Sequence, residues 1–231
     1  MGPPAGIAAA LAVAFAGAVA LTPPKGNRRA IEYYTRQADA YASLPGVHLV
    51  ETGFFTVRAD GGTRVSYAWG RPPSGGYRAA TATVDAMLLD GRIEAYLAVL
   101  RAPKTRAVRI LMAGSSVFTS TTRCWRRSTA SGSPFGTGER YVFNDGGAVF
   151  GPLVRHGRST TTALAYRWSP GAHAAETDTF TGAAPAPFTV TVSVTGATRL
   201  TIRKSILPLA VTPSLPVAPP PAVPRPKPLC K

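Results

Sequence analysis

The segment Phe188–Thr195, FTVTVSVT, sets an apolar residue at every even position and a hydroxyl at every odd one. Successive side chains of a β-strand point to opposite faces, so a period of two means one buried face and one wet face. That arrangement belongs to an antiparallel sheet with one solvated side. The same alternation recurs upstream. Thr63 to Gly70 puts Val65, Tyr67 and Trp69 on one face and Arg64, Ser66 and Ala68 on the other. Thr160 to Trp168 does the same with Leu164, Tyr166 and Trp168. Further strands are expected at Val47–Arg58, Tyr77–Leu89, Arg106–Met112, Val117–Arg126, Arg140–Phe143, Ala148–Arg155 and Arg199–Lys204, with a weaker one at Ala174–Phe180; Arg92–Arg101 fits helix or strand and is read as strand because a strand lies on either side. Turn chemistry separates them: Asp60-Gly61-Gly62, Asp90-Gly91, the glycines from Gly132 to Gly138, and Gly196.

One stretch follows the other period. From Arg28 to Leu44, Ile31, Tyr34, Ala38 and Tyr41 recur at three- and four-residue steps and form an apolar stripe. Asn27 stands at the N-cap position and Pro45-Gly46 ends the run. The expected fold is mainly β (α+β). One N-terminal amphipathic helix packs in a curved antiparallel sheet or an incompletely closed β-barrel, over residues 28–204.

Both ends differ from this middle. The first 24 residues carry no charged residue and no histidine, and Ile7 to Leu21 is an unbroken small-apolar run. About 15 residues suit the h-region of a signal peptide, whereas a membrane span needs roughly 20. Ala18-Val19-Ala20 offers a small-x-small cleavage site, so residues 1–20 read as a leader and 21–27 as a linker. An uncleaved anchor and a buried helix are the alternatives, and the basic n-region usual in leaders is absent. No cysteine follows the apolar run, so there is no lipobox. The protein is expected to be secreted, periplasmic or held in the cell envelope.

Nine of the last 27 residues are proline, a content that favours extended polyproline conformation over helix or central strand. Residues 205–231 therefore read as a tail. It holds Cys230, and the only other cysteine is Cys124. In an exported chain two cysteines suggest one disulfide, which would tie the tail back to the domain; two unrelated thiols are the alternative.

The formal charge is +15, from 21 Arg and 5 Lys against 11 acidic residues. Such a charge favours anionic surfaces such as lipid head groups or wall polymers. Nucleic acid is disfavoured by export and by the spread of the arginines over many strands.

The sequence carries no nucleophile elbow, no H-E-x-x-H, no phosphate loop and no dinucleotide fingerprint. His48, His156 and His173 lie in separate segments without a second ligand at metal spacing. Glu51 and Glu94 are the two carboxylates that could fall among apolar strand positions. No catalytic residue, metal site or cofactor is implied.

The aromatics are more informative. Phe55, Tyr67, Trp69, Tyr166 and Trp168 lie on apolar strand faces, and Ile110 and Met112 join them. Such residues form a core, or line a cavity if a single helix covers only part of their face. The order of elements, one amphipathic helix after an export signal and then a long antiparallel meander from Arg28 to Lys204, resembles the bacterial lipoprotein-carrier family and the mycobacterial lipid-binding lipoproteins. That resemblance implies a curved β-structure wrapped around helical elements and holding acyl chains. Two functions follow as expectations. The first is a non-enzymatic domain binding a lipid or other apolar molecule in the concave face of its sheet. The second is an envelope interaction or sensor module that recognises a protein or an anionic wall polymer.

Overall fold

The computed structural model describes residues 24–60, 64–69, 78–89, 91–113, 116–120, 124–127, 147–169, 171–196, 199–216 and 229. The leader, the strand expected at Arg140–Phe143, the glycine loop, Cys230 and most of the proline tail lie outside them.

Helix α1 spans Arg28–Ala42 and begins where Asn27 caps it: the Asn27 side chain accepts a hydrogen bond of 3.1 Å from the Ala30 amide. One otherwise unpaired amide of the first turn is thereby satisfied. Its buried residues are Ala30, Tyr33, Tyr34, Gln37 and Tyr41, while Ile31 and Ala38 are only partly covered. The buried stripe is thus rotated from the expected one, because Gln37 points inward. Its amide nitrogen donates to Tyr33 Oη at 3.1 Å, and its carbonyl accepts from the Ala186 amide at 3.0 Å. A buried polar group needs such partners, and tertiary contact alone supplies them here.

Among the described residues fourteen strands follow or flank the helix. They are β1 Lys25–Gly26, β2 Gly46–Asp60, β3 Arg64–Trp69, β4 Arg78–Leu89, β5 Arg92–Arg101, β6 Val108–Ala113 and β7 Ser116–Ser120. After these come β8 Arg126–Arg127, β9 Val149–Phe150, β10 Val154–His156, β11 Ser159–Ser169, β12 Ala172–Thr181, β13 Phe188–Thr195 and β14 Leu200–Leu209. The main path of the sheet runs β1-β9-β11-β12-β13-β14-β2-β4-β5-β6-β7-β8, with β3 beside β2 and β10 beside β11. Every pairing is antiparallel except β1 with β9. From β1 at one edge the chain passes through α1 to β2 near the middle, meanders to the far edge, and resumes with β9 beside β1. It then returns by hairpins until β14 lies beside β2. The result is a large curved sheet that does not close into a barrel.

Strand β2 bends to serve both halves. Its register with β4 shifts between Thr52 and Thr56, and Gly53 within that bulge has φ +95°. A Cβ at Gly53 would collide with the Thr201 carbonyl oxygen. Only glycine combines that backbone conformation with so close an approach.

Three expected boundaries move. Pairing of β14 with β2 continues through Leu209, and Ile206 is buried, so the domain does not end at Lys204. Past Ile206 β14 has only β2 described beside it, a position where Pro208, lacking an N–H, is tolerated. The segment 21–27 is not wholly a linker, since Lys25–Gly26 pairs with Val149–Phe150. The single strand expected over Ala148–Arg155 is two, β9 and β10, interrupted at Pro152, which cannot donate to a ladder.

The even residues of β11 to β14 and the matching residues of β2, β4, β5 and β6 face one continuous core, with α1 on that concave side. Tyr34 meets Phe150 and Phe180 edge-on at 5.2 and 6.3 Å, and Tyr41 meets Phe188 at 5.7 Å. Tyr41 Oη also donates to the Ala186 carbonyl at 2.8 Å. Among the described residues no helix is long and apolar enough to cross a membrane.

Candidate functional site

The concave face is apolar except for one belt of polar residues. In β12 the even positions point inward, so Glu176 and Asp178 are buried in the same row as Ala172, Ala174 and Phe180. Cross-strand register then aligns Thr162 with Asp178, Asp178 with Val190, Val190 with Lys204, and Lys204 with Glu51. One step along, Tyr166 Oη donates to Glu176 Oε2 at 2.7 Å. Lys204 Nζ lies 3.7 Å from Glu51 Oε2, whose side chain is wholly buried. Three carboxyl groups, one ammonium, one phenol and one hydroxyl thus share the interior of an otherwise hydrocarbon core.

Asp178 is the extreme member. It is 0% exposed, and neither of its carboxylate oxygens meets hydrogen-bond geometry with a donor among the described residues. The Thr162 hydroxyl, its cross-strand neighbour, is in the same condition. Leaving a buried polar group without a partner costs roughly 1–3 kcal/mol. Burial pushes Asp178 well above the ordinary carboxylate range, and the negative charge of nearby Glu176 pushes it further. Glu176 is itself raised by burial, against the lowering effects of the Tyr166 hydroxyl and Lys204. Burial likewise raises the Tyr166 phenol, and Glu176 adds to that.

A raised acid pKa makes the folded state bind more protons than the unfolded state above about pH 4, so this pair's contribution to stability falls as pH rises from there. Thermal unfolding of Asp178→Asn should accordingly lose less stability between pH 5 and pH 8 than the wild type. Parallel pH profiles would mean that Asp178 is not held protonated in the fold.

The expected lining residues divide three ways. Phe55, Ile110 and Met112 are buried in the concave core. Tyr166 packs half-buried against it, its hydroxyl turned into the polar belt. Tyr67 and Trp69 are the backbone partners of Val57 and Phe55; their side chains, and that of Trp168, lie outside the described residues. Of the two carboxylates singled out from the sequence, Glu51 faces the core and Glu94 faces solvent. Glu176, Asp178, Thr162 and Lys204 are not among the residues that the sequence singles out. The signal was present in β12: with Ala174 and Phe180 on the buried face, a period of two necessarily carries Glu176 and Asp178 with them.

The outer face holds a second, smaller cluster of Leu111, Phe118 and Trp125, with Leu97 against it. The Arg109 guanidinium stands 4.8 Å from the centre of the Trp125 ring. Trp125 also forms an isolated parallel bridge with Leu229, and the preceding Cys124 is disulfide-bonded. On the same outer side His48 Nδ1 lies 2.7 Å from Asp85 Oδ1, while His156 and His173 are exposed.

No family model and no curated protein matches this chain. Among solved structures it is similar to the crystal structure of the Mycobacterium tuberculosis lipoprotein LppX, over 78% of this chain and 95% of that one. Identity is 13% and the TM-score 0.43.

Proposed function

We propose that this is an exported, non-enzymatic domain that binds a lipid or other apolar molecule against the concave face of its sheet. The observation that carries this reading is the uneven filling of that face. Its aromatic contacts with α1 gather at Phe150, Phe180 and Phe188. The half built by β4, β5 and β6 sets Ala80, Ala82, Ala86 and Ala98 among Val84, Leu88, Ile93, Tyr96, Leu100 and Ile110. Small side chains on an apolar sheet face leave width for a guest hydrocarbon, and binding sites of this kind are mostly apolar with few polar groups. Export rests on the apolar run Ile7–Leu21 followed by Ala18-Val19-Ala20 and the Pro23-Pro24 break.

A single measurement addresses both parts. Native mass spectrometry of protein recovered from outside the cytoplasm should give a polypeptide that begins at or near Leu21 and carries an extra mass removable by organic solvent. A chain beginning at Met1 would overturn export. A bare polypeptide whose melting temperature no lipid raises would overturn binding, since any ligand specific for the folded state must stabilise it.

Docking to an anionic envelope surface is a second reading. It is favoured by Arg101, Arg126, Arg155, Arg167 and Arg203, which are exposed on five different strands. Attraction of that origin should weaken steeply between low and physiological salt.

A further inference from the structure

From Gly147 to Lys231 the chain holds two acidic residues, Glu176 and Asp178, and both are buried on the concave side. Among the described residues the outer side of β11 to β14 therefore carries no carboxylate. Its cations remain. Arg167, His173 and Thr195 share one exposed row across β11, β12 and β13. Further along, one row of register runs Thr177, Thr191, Arg203, Thr52, Thr81, Arg101, from β12 through β13, β14, β2 and β4 to β5. All six side chains are exposed. Arg203 and Arg101 stand three strands apart, about 14 Å at the usual strand spacing, with two hydroxyls between them. In the next row the Thr161 and Thr179 hydroxyls lie 3.1 Å apart, and Thr189 and Ser205 extend it. Apart from His173, the outward positions of β12 and β13 hold nothing larger than threonine. Helix α1 lies on the concave side, and beyond β14 the described tail meets the other half of the sheet, Pro213 at Gly46 and Leu229 at Trp125.

We propose that this outer face docks an acidic polysaccharide, with Arg203, Arg101 and Arg167 taking its carboxylates and the threonine rows its hydroxyls. The inference rests on the anionic-surface reading above and narrows it to one face and one class of polymer. A guanidinium presents a planar fork of donors that matches a carboxylate. A threonine hydroxyl both donates and accepts, as a sugar hydroxyl does, so a row of them can exchange hydrogen bonds along a polyol. The carboxyl groups that would repel a polyanion are turned inward on these strands. A bilayer fits less well, because β12 and β13 present no large apolar side chain outward to enter it. Single-stranded nucleic acid would use aromatic platforms for its bases, and neither strand shows one on this side.

The test titrates oligogalacturonate into the full secreted chain at physiological salt, followed by calorimetry, with dextran of the same length and phosphatidylglycerol vesicles in parallel. Salt at that level screens charges beyond roughly 8 Å, so contact rather than the field of the whole chain must carry the affinity. Oligogalacturonate should bind, and neutral dextran should bind about tenfold or more weakly. Arg203→Gln together with Arg101→Gln should weaken oligogalacturonate about tenfold, through the loss of two charge-assisted contacts. Arg126→Gln with Arg155→Gln removes the same charge from the opposite side, where Arg126 pairs with Thr119 beside inward Ile110 and Arg155 with Thr160 beside inward Phe180. That second pair should leave the affinity within about twofold of the wild type. Thr177→Val with Thr191→Val keeps charge and shape, and should cost about threefold. Equal losses in the two arginine pairs, no loss in the threonine pair, or binding to vesicles alone would overturn the polysaccharide assignment while leaving the anionic-surface reading intact. Binding to neither oligogalacturonate nor vesicles, or equal binding of dextran, would overturn both.

Discussion

Phe180→Ala should lower the stability of the domain by about 3–5 kcal/mol, the range for deleting a large buried aromatic. Phe180 is 0% exposed and joins the helix to the sheet. Its ring lies 5.5 Å from Tyr33 and 6.3 Å from Tyr34 on α1, and stacks at 4.7 Å on Phe188 of the adjacent strand. Aromatic pairs of this kind contribute beyond the area they bury. Removing the ring leaves a cavity bounded by two phenols and a phenyl, which can close only if α1 moves. Yet Tyr41 Oη and Gln37 hold the helix to Ala186 by hydrogen bonds of 2.8 and 3.0 Å, so collapse is opposed and the cost belongs at the high end. Denaturant unfolding monitored by near-ultraviolet circular dichroism would measure it. A loss below about 1 kcal/mol would mean that the helix is not held to β12 and β13 by these rings.

The second large effect concerns the two cysteines. Cys124 is disulfide-bonded, and Leu229, the residue before Cys230, forms a parallel bridge with Trp125, the residue after Cys124. We propose that Cys124 and Cys230 are joined, pinning the proline tail across the outer cluster of Leu111, Phe118 and Trp125. Such a bond closes a loop of about a hundred residues, and the chain-entropy model assigns that loop up to about 4–5 kcal/mol. The short strand β8 is the edge of the described sheet on this side. A tail laid there would keep an open edge from pairing with another molecule. Cys124→Ser should therefore shift the denaturant midpoint downward, open the tail to proteolysis, and raise the tendency to associate. Non-reducing peptide mapping of the secreted protein should give one fragment that joins the two segments within a monomer. Two alkylatable thiols would end the proposal.

Much of the architecture was legible in the residues. The alternation of Phe188–Thr195 determined a strand with one buried face, and the structure places that strand over the same eight residues. Asn27 and Pro45-Gly46 bracketed a helix that ends within two residues of the expected position. Turn glycines divided the meander, and the order of elements pointed to a curved sheet holding one helix. These features are local: they depend on side-chain period, capping and backbone freedom, all of which are written in neighbouring residues.

What only the tertiary structure decided is which local choices were overruled by distant partners. Residues 205–209 carry the start of a proline-rich composition, but β2 lies beside them and draws them into the sheet. Gln37 reads as a surface residue until the backbone of Ala186, far along the chain, meets its amide. Above all, the period of Ala172–Thr181 carries Glu176 and Asp178 onto its buried face, but nothing within that segment announces that Lys204 and Glu51 will lie beside them. Each strand fixes only which of its own side chains share a face. The register of four strands, set by where the hairpins turn and where β14 meets β2, brings those faces into one row, and that register is a property of the closed chain and of no segment within it.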